Sequence, residues 1–344
     1  MGDSYISGEA GRWQGNSIDL LAGDDGTDRA CVPVGTLLCA ADQSRVYTGA
    51  SAADGCHRSD VAEVMSARLA VAERLNIACS GAGSANIVRA ADGGVGQNGE
   101  APQADQLLPL ARSHDIRMIV LSIGGNDLGF SGIVTACFED YLLLLGPCQA
   151  TQQQALDQRR AAATAGVERA IDEIRAVMTE AGYAAADYRL VAQTYPSVLP
   201  RAAEARYPQG DPRRILEGCP FYDQDLDWAR DQAAPEIGAM VAEAARARGV
   251  EVLDVGNALA GHEICARSDH ESTLLTRPAA ADAERGRFVG ANTIVEGDLQ
   301  EAFHPSAYAQ QGLGRCLSLI FAGSPGVHAC AGGAGRSPSQ MLFR

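Results

Sequence analysis

The chain has 344 residues, 46% of them hydrophobic, enough for a substantial core. Its net charge is −15, from 43 acidic residues against 28 basic ones that are all arginine. This balance repels phosphate backbones and anionic headgroups, so nucleic acid is excluded as a partner, as is a polybasic membrane anchor; no apolar run of about 18 residues predicts a membrane span.

In chain order, residues 58–69 read as a helix capped by Ser59. Leu75-Asn76-Ile77-Ala78-Cys79 reads as a short buried strand ending at Ser80-Gly81-Ala82-Gly83. A helix is predicted over 102–114, with Leu107, Leu108 and Ala111 on one face. Residues 117–123 form the clearest strand, apolar on both faces and ending at Gly124-Gly125, as suits a central parallel strand. A long helix follows over 152–181, with Val167, Ile171, Ile174 and Met178 at helical spacing. Then come a strand over 188–193, a helix over 225–248, a strand over 250–255 and a last helix over 306–321. Strands alternating with helices imply a parallel sheet covered on both faces. Segments 10–57, 83–101, 196–224 and 261–300 are rich in Gly, Pro, Asp and Ala. They read as loops inserted in one domain spanning 1–344.

Ten cysteines, an even number, favour disulfides and an oxidising, extracellular location, although no signal peptide is visible in the sequence. No CxxC and no HExxH occurs, so a zinc site has no support. Nearness in sequence pairs Cys137 with Cys148, Cys219 with Cys265, and Cys316 with Cys330, each closing a surface excursion. Cys31, Cys39, Cys56 and Cys79 remain, with three connectivities open. Cys31–Cys56 is the pairing carried forward, and apolar surroundings make Cys79 the best candidate for a free buried thiol.

The residues that carry chemistry sit far apart. Gly2-Asp3-Ser4 offers a serine at the amino end, and Phe303-His304-Pro305 a histidine near the carboxyl end. Between them Gly124-Gly125-Asn126-Asp127 follows a buried strand, where open α/β sheets place their ligands, and can present a side-chain amide. Nucleophile, base and oxyanion donor are the minimum parts of an acyl-transfer site. Glu301, three positions before His304, can hold the imidazole in one tautomer. Gly94-Val95-Gly96-Gln97-Asn98-Gly99 fits a dinucleotide-loop pattern, but no strand precedes it and no helix begins at its end. No GxSxG is present. His57, His114, His262, His270 and His328 have no evident partner.

In this order, each at a strand end, the pieces resemble the SGNH family of GDSL-type esterases and lipases, in its secreted actinobacterial branch. Gly2 through Glu9 resembles the first block, Asn76 through Ala82 the second, Ile123 through Asp127 the third and Glu301 through Pro305 the last. Cys56-His57-Arg58-Ser59 and Gly261-His262-Glu263-Ile264-Cys265 are further echoes. The resemblance implies a flavodoxin-like three-layer α/β/α sandwich with strand order 2-1-3-4-5. It implies Ser4 as nucleophile, His304 as base, and the Ser4 and Gly81 amides with the Asn126 side chain as oxyanion donors. Where the family usually has aspartate, this chain has Glu301, and some relatives use a backbone carbonyl instead. The strand that carries the nucleophile in the family would precede Gly2, so the sequence reads as one whose first strand is missing and whose parent chain is longer.

The expected activity is serine-dependent ester hydrolysis through an acyl-enzyme, by a monomer, with no cofactor or metal and no stable membrane anchor. The substrate is a small-molecule or lipid ester. Phospholipase and carbohydrate O-deacetylase activities remain alternatives on the same site, and a non-catalytic binding domain is a further one. Loops over 10–57, 128–150 and 196–224 are expected to shape the acyl pocket. Leu142, Leu143, Leu144 and Leu145 read either as an apolar lip or as a buried helical turn.

Overall fold

The computed structural model describes residues 1–14, 31–34, 38–216, 218–269, 283–288 and 299–344. Among the described residues seven strands form two sheets. A hairpin pairs β1 (Cys31–Val34) with β2 (Leu38–Ala41). The central sheet has the order β3 (Met118–Leu121), β4 (Arg189–Gln193), β5 (Glu251–Asp254), β6 (Val327–Ala331), β7 (Leu342–Phe343). The first four of these are parallel and β7 runs antiparallel to β6. Ten helices accompany them among the described residues: α1 (Ser4–Ser7), α2 (Ser51–Asp54), α3 (Glu63–Ser66), α4 (Gln103–Ser113), α5 (Phe130–Leu142), α6 (Gln149–Glu180), α7 (Arg213–Leu216), α8 (Asp223–Trp228), α9 (Ala234–Ala247) and α10 (Ala307–Ala322).

The α/β/α layering follows from which faces are apolar. α6 packs against α4 and α9, burying Val167, Ile171, Ile174 and Met178 at helical spacing. α10 packs with α3, so that α10 buries Leu313, Leu317 and Ile320. Between the layers Leu121, Val191, Val252 and Leu253 are fully buried, as parallel strands covered on both faces require. No helix among the described residues is long and apolar enough to cross a membrane.

Beyond β3 the expected order continues through short extended segments. Ser122 donates its N–H to Met1 O at 3.2 Å, and Asp3 donates to Ser122 O at 3.1 Å. On the other side Cys79 donates to Gly2 O at 3.1 Å. Met1–Asp3 therefore lies between Cys79 and the end of β3, at the position that the expected 2-1-3-4-5 order gives to a first strand. The strand expected over 75–79 is not a regular one; its hydrogen bond to Met1–Asp3 comes from Cys79.

Other expectations are corrected by tertiary contacts. The helix predicted over 58–69 is reduced to Glu63–Ser66. Its backbone donors are recruited elsewhere: Ser59 N–H binds Ser7 O at 3.0 Å, and Arg68 N–H binds Ser318 Oγ at 2.9 Å. The helix predicted over 225–248 is α8 and α9 joined by a π turn, Ala229–Ala233. Pro235 at the start of α9 brings no N–H to the ladder, which accommodates a local change of hydrogen-bond step. α5 lies inside a predicted loop, though Ile133, Cys137 and Tyr141 already mark its buried face. Three disulfides join the pairs expected from nearness: Cys137–Cys148, Cys219–Cys265 and Cys316–Cys330. The expected Cys31–Cys56 bond does not form. Cys56 bonds to Cys79, which is thus not a free thiol, because Ser80 N–H pairs with Cys56 O at 3.1 Å and brings the two backbones together.

Candidate active site

Ser4 opens α1 directly after the extended Met1–Asp3 segment. Gly2 has φ +137°, and a Cβ there would stand 1.9 Å from Ser122 O, so only glycine allows this close approach to the end of β3. Gln103 clamps Gly2, accepting from its N–H and donating to its carbonyl, each at 2.7 Å. Asp3 caps α1 by accepting from Tyr5 N–H at 3.1 Å. It also accepts from the Tyr195 hydroxyl, which in turn accepts from Gly125 N–H at 3.1 Å. One buried carboxyl thus ties the serine turn to the Gly124–Asp127 turn. Burial pushes the Asp3 carboxyl up to about 7, against the opposing pull of these donors.

His304 arrives from the far end of the chain and places Nε2 2.7 Å from Ser4 Oγ. The preceding Phe303 has φ +64°, rare for a bulky side chain, and its carbonyl accepts from the Tyr5 hydroxyl at 2.8 Å. Nδ1 of His304 lies 3.1 Å from Ala302 O, which favours the tautomer with its proton on Nδ1 and a lone pair on Nε2. Burial, the largest influence, holds the His304 pKa below its ordinary value of 6.5.

The Glu301 carboxylate, expected beside His304, is engaged by other partners. It accepts from the Tyr47 hydroxyl at 2.8 Å and lies 3.4 Å from Arg287 Nη1. The left-handed turn at Phe303 reverses the chain between the two residues and sends their side chains apart.

Gly81 and Asn126 meet at the same place. Asn126 donates one amide hydrogen to Ala82 O at 2.9 Å, leaving its second hydrogen for another acceptor. Asp127 accepts from Ser84 N–H at 2.9 Å and from Ser84 Oγ at 2.6 Å, so the two turns hold each other. Among the described residues nothing accepts from the backbone N–H of Ser4 or of Gly81. Ser4, Gly81, Asn126 and His304 all line a cavity of about 560 Å³. Its far walls are apolar: Phe130, Ile133, Val134 and Phe138 from α5, with Trp228 and Ile237 opposite. The π turn contributes Ala229 and Ala233, small side chains that leave the space open. Leu142 to Leu145 do not line the cavity and are not buried either; they stand exposed at the end of α5 and just after it. Of the loops expected over the site, 196–224 contributes to the lining, 128–150 does so chiefly as a helix, and no described residue of 10–57 does.

With this geometry in view, residues 44–311 match the model of the GDSL-like lipase/acylhydrolase family. The chain belongs to this family. It is a hydrolase of the esterase and lipase type. The second, third and last blocks fall inside the matched span and Ser4 precedes it. Two solved structures are similar. An extracellular lipase from Streptomyces rimosus is 22% identical, with 82% of this chain and 95% of that chain covered and a TM-score of 0.48. A phospholipase A1 from Streptomyces albidoflavus NA297 is 23% identical, with 81% and 94% covered and a TM-score of 0.46. No curated protein matches the chain significantly.

The hydrolase holds a further charged group that sequence reasoning passed over. Glu9, 1% exposed, lines the cavity beside Ser4 and His304. It accepts from Ser80 Oγ, and its other oxygen lies 3.0 Å from His57 Nδ1. Its place in the first block, five residues after Ser4, was the only signal for it. His57, unassigned from sequence, is thus paired with Glu9 and stacked on Tyr47 at 4.3 Å. His262 faces Asp269 at 2.6 Å, His114 faces Glu73 at 3.2 Å, and His328 meets Ser324 O at 2.9 Å. His270 lies outside the described residues, as do the side chains of Cys31 and Cys39. Among the described residues two side-chain groups have metal-like proximity, Cys137/Cys148/Asp225 and Asp54/Cys56/Glu100, but in both the sulfur is held in a disulfide and offers no thiolate.

Proposed function

We propose that this hydrolase cleaves carboxylic esters through an acyl-enzyme on Ser4. The reading is carried by the 2.7 Å contact between Ser4 Oγ and His304 Nε2 at the head of an apolar cavity. His304 Nε2 takes the Ser4 proton while Oγ attacks the ester carbonyl. The Ser4 and Gly81 N–H groups and the Asn126 amide receive the oxyanion. The carbonyl of Ala302, rather than a carboxylate, holds the ring in its working tautomer. His304 then protonates the leaving alcohol, and the same steps with water release the acid.

The apolar lining supports an alkyl acyl group as the occupant, and so an esterase or lipase acting on lipid-like esters ahead of a carbohydrate deacetylase. Four disulfides among the described residues support an oxidising, extracellular location. Hydrolysis of p-nitrophenyl esters of graded chain length, with Ser4→Ala as control, tests the reading. Ser4→Ala is expected to abolish turnover and fluorophosphonate labelling while the fold is kept. Activity near wild type in that variant would remove Ser4 from the mechanism.

A further inference from the structure

On the side of His304 where a catalytic triad has its carboxylate, this site offers neutral backbone carbonyls, with Ala302 O 3.1 Å from Nδ1. A carboxylate is present on the opposite side. Glu9 Oε2 lies 3.9 Å from His304 Nε2, the nitrogen that faces Ser4. We propose that Glu9 is a positioning residue of the hydrolytic site, whose fixed negative charge stabilises the imidazolium formed each time His304 takes the Ser4 proton. This rests on reading Ser4 and His304 as nucleophile and base.

The backbone is shaped to deliver this side chain. After α1 the chain reverses through two left-handed residues flanking Glu9, Gly8 at φ +93° and Ala10 at φ +57°. The second of these is a strained position for alanine, a feature that concentrates at functional sites. The carboxylate is then locked. Ser80, next to Gly81, donates to Oε2, and His57 holds Oε1. At 3.9 Å Glu9 is outside hydrogen-bonding reach of Nε2. It can therefore favour the positive ring without taking its proton, which stays available for the leaving alcohol. Burial keeps solvent from screening the attraction.

Other charged groups bear on the pair. Arg287 acts on His304 in the opposite sense to Glu9, while His57 and His304 both favour the Glu9 charge. Glu301 lies in the same field, between Arg287, His57 and Glu9. Burial opposes the Glu9 charge, yet these partners together hold its carboxyl below the ordinary value.

Glu9→Gln keeps the shape and removes the charge. It is expected to melt close to wild type, to lose kcat by about 10- to 100-fold, part of what a full acid–base group contributes, and to change KM little. The acidic limb of its kcat profile should move to lower pH, because a neutral neighbour no longer favours protonated His304. Glu9→Asp, with the charge kept but withdrawn, should recover part of the rate and carries the test if Glu9→Gln does not fold. Unchanged kcat with an unmoved acidic limb in either folded variant would overturn the proposal. If Ser4→Ala is also active, the failure lies with the nucleophile assignment. If Ser4→Ala is dead and Glu9→Gln is fully active, only the role of Glu9 fails.

Discussion

At the scale of single residues, the site is assembled from side chains that each answer to a second constraint. Asn126 donates one hydrogen to Ala82 O, which orients its amide and leaves the other hydrogen for a further acceptor. Pre-set donors of this kind lower the barrier because they need no reorientation as charge develops. Asn126→Ala should therefore lower kcat by about 100-fold, equivalent to about 3 kcal/mol, with a smaller change in KM. Steady-state kinetics on a p-nitrophenyl ester would show it, and a loss confined to KM would exclude the oxyanion role. Tyr195 has a different task. Its hydroxyl, between Asp3 and Gly125, fixes the distance between the serine turn and the asparagine turn.

At the scale of elements, the second block is held in place by a covalent tie. Cys56–Cys79 joins segments 23 residues apart, immediately before Ser80 and Gly81. Closing a loop of that length constrains the unfolded chain by about 3 kcal/mol. The paired variant Cys56→Ala/Cys79→Ala should lose about that much stability in a denaturant titration. Its turnover should fall as well, since the Gly81 amide and the Ser80 partner of Glu9 ride on the tied segment. Full turnover in the folded variant would mean that Gln97 and Asn98, which donate to Ser80 O at 3.1 and 3.4 Å, position the loop alone. The π turn is the other decisive element. It interrupts the helical pair α8 and α9 where Ala229 and Ala233 line the cavity, so a feature with no obvious periodic signature helps to set the room inside it.

At the scale of the whole molecule, several carboxyls are buried without full compensation. Burial is the main cause that raises Asp3, Glu63 and Glu263, each to about 7. Such a group binds a proton in the folded state that it has already lost in the unfolded one. Its contribution is therefore complete below the unfolded value near 4.5 and lost as pH rises towards 7. His262 works in the other direction: burial lowers it to about 4, so it costs stability as pH falls below 6.5. Glu263 permits a clean test because it lies away from the reacting groups, with Arg230 3.7 Å away. Glu263→Gln should flatten the fall in stability between about pH 4.5 and 7, by about 3 kcal/mol at most. Thermal melts across that range, set beside wild type, would reveal it. Parallel curves would show that Glu263 is ionised throughout.

The sequence alone determined the layered α/β class, the long helix over residues 152–181, the strands after residues 117, 188 and 250, and the identity of the chemical blocks. These are local properties: side-chain periodicity, turn residues and short motifs are readable without knowing what lies across the fold. The tertiary structure decided everything that depends on a partner far away in the chain. It shortened the helix after Ser59, whose neighbours take its backbone donors, and it moved the Cys56 bond from Cys31 to Cys79. It turned Glu301 away from His304 through the left-handed Phe303, and it brought Glu9 within 3.9 Å of that histidine. Glu301 and Glu9 differ little as letters near their motifs. Which one faces the ring depends on backbone dihedrals and on contacts spanning about 300 residues, and neither is written in local pattern.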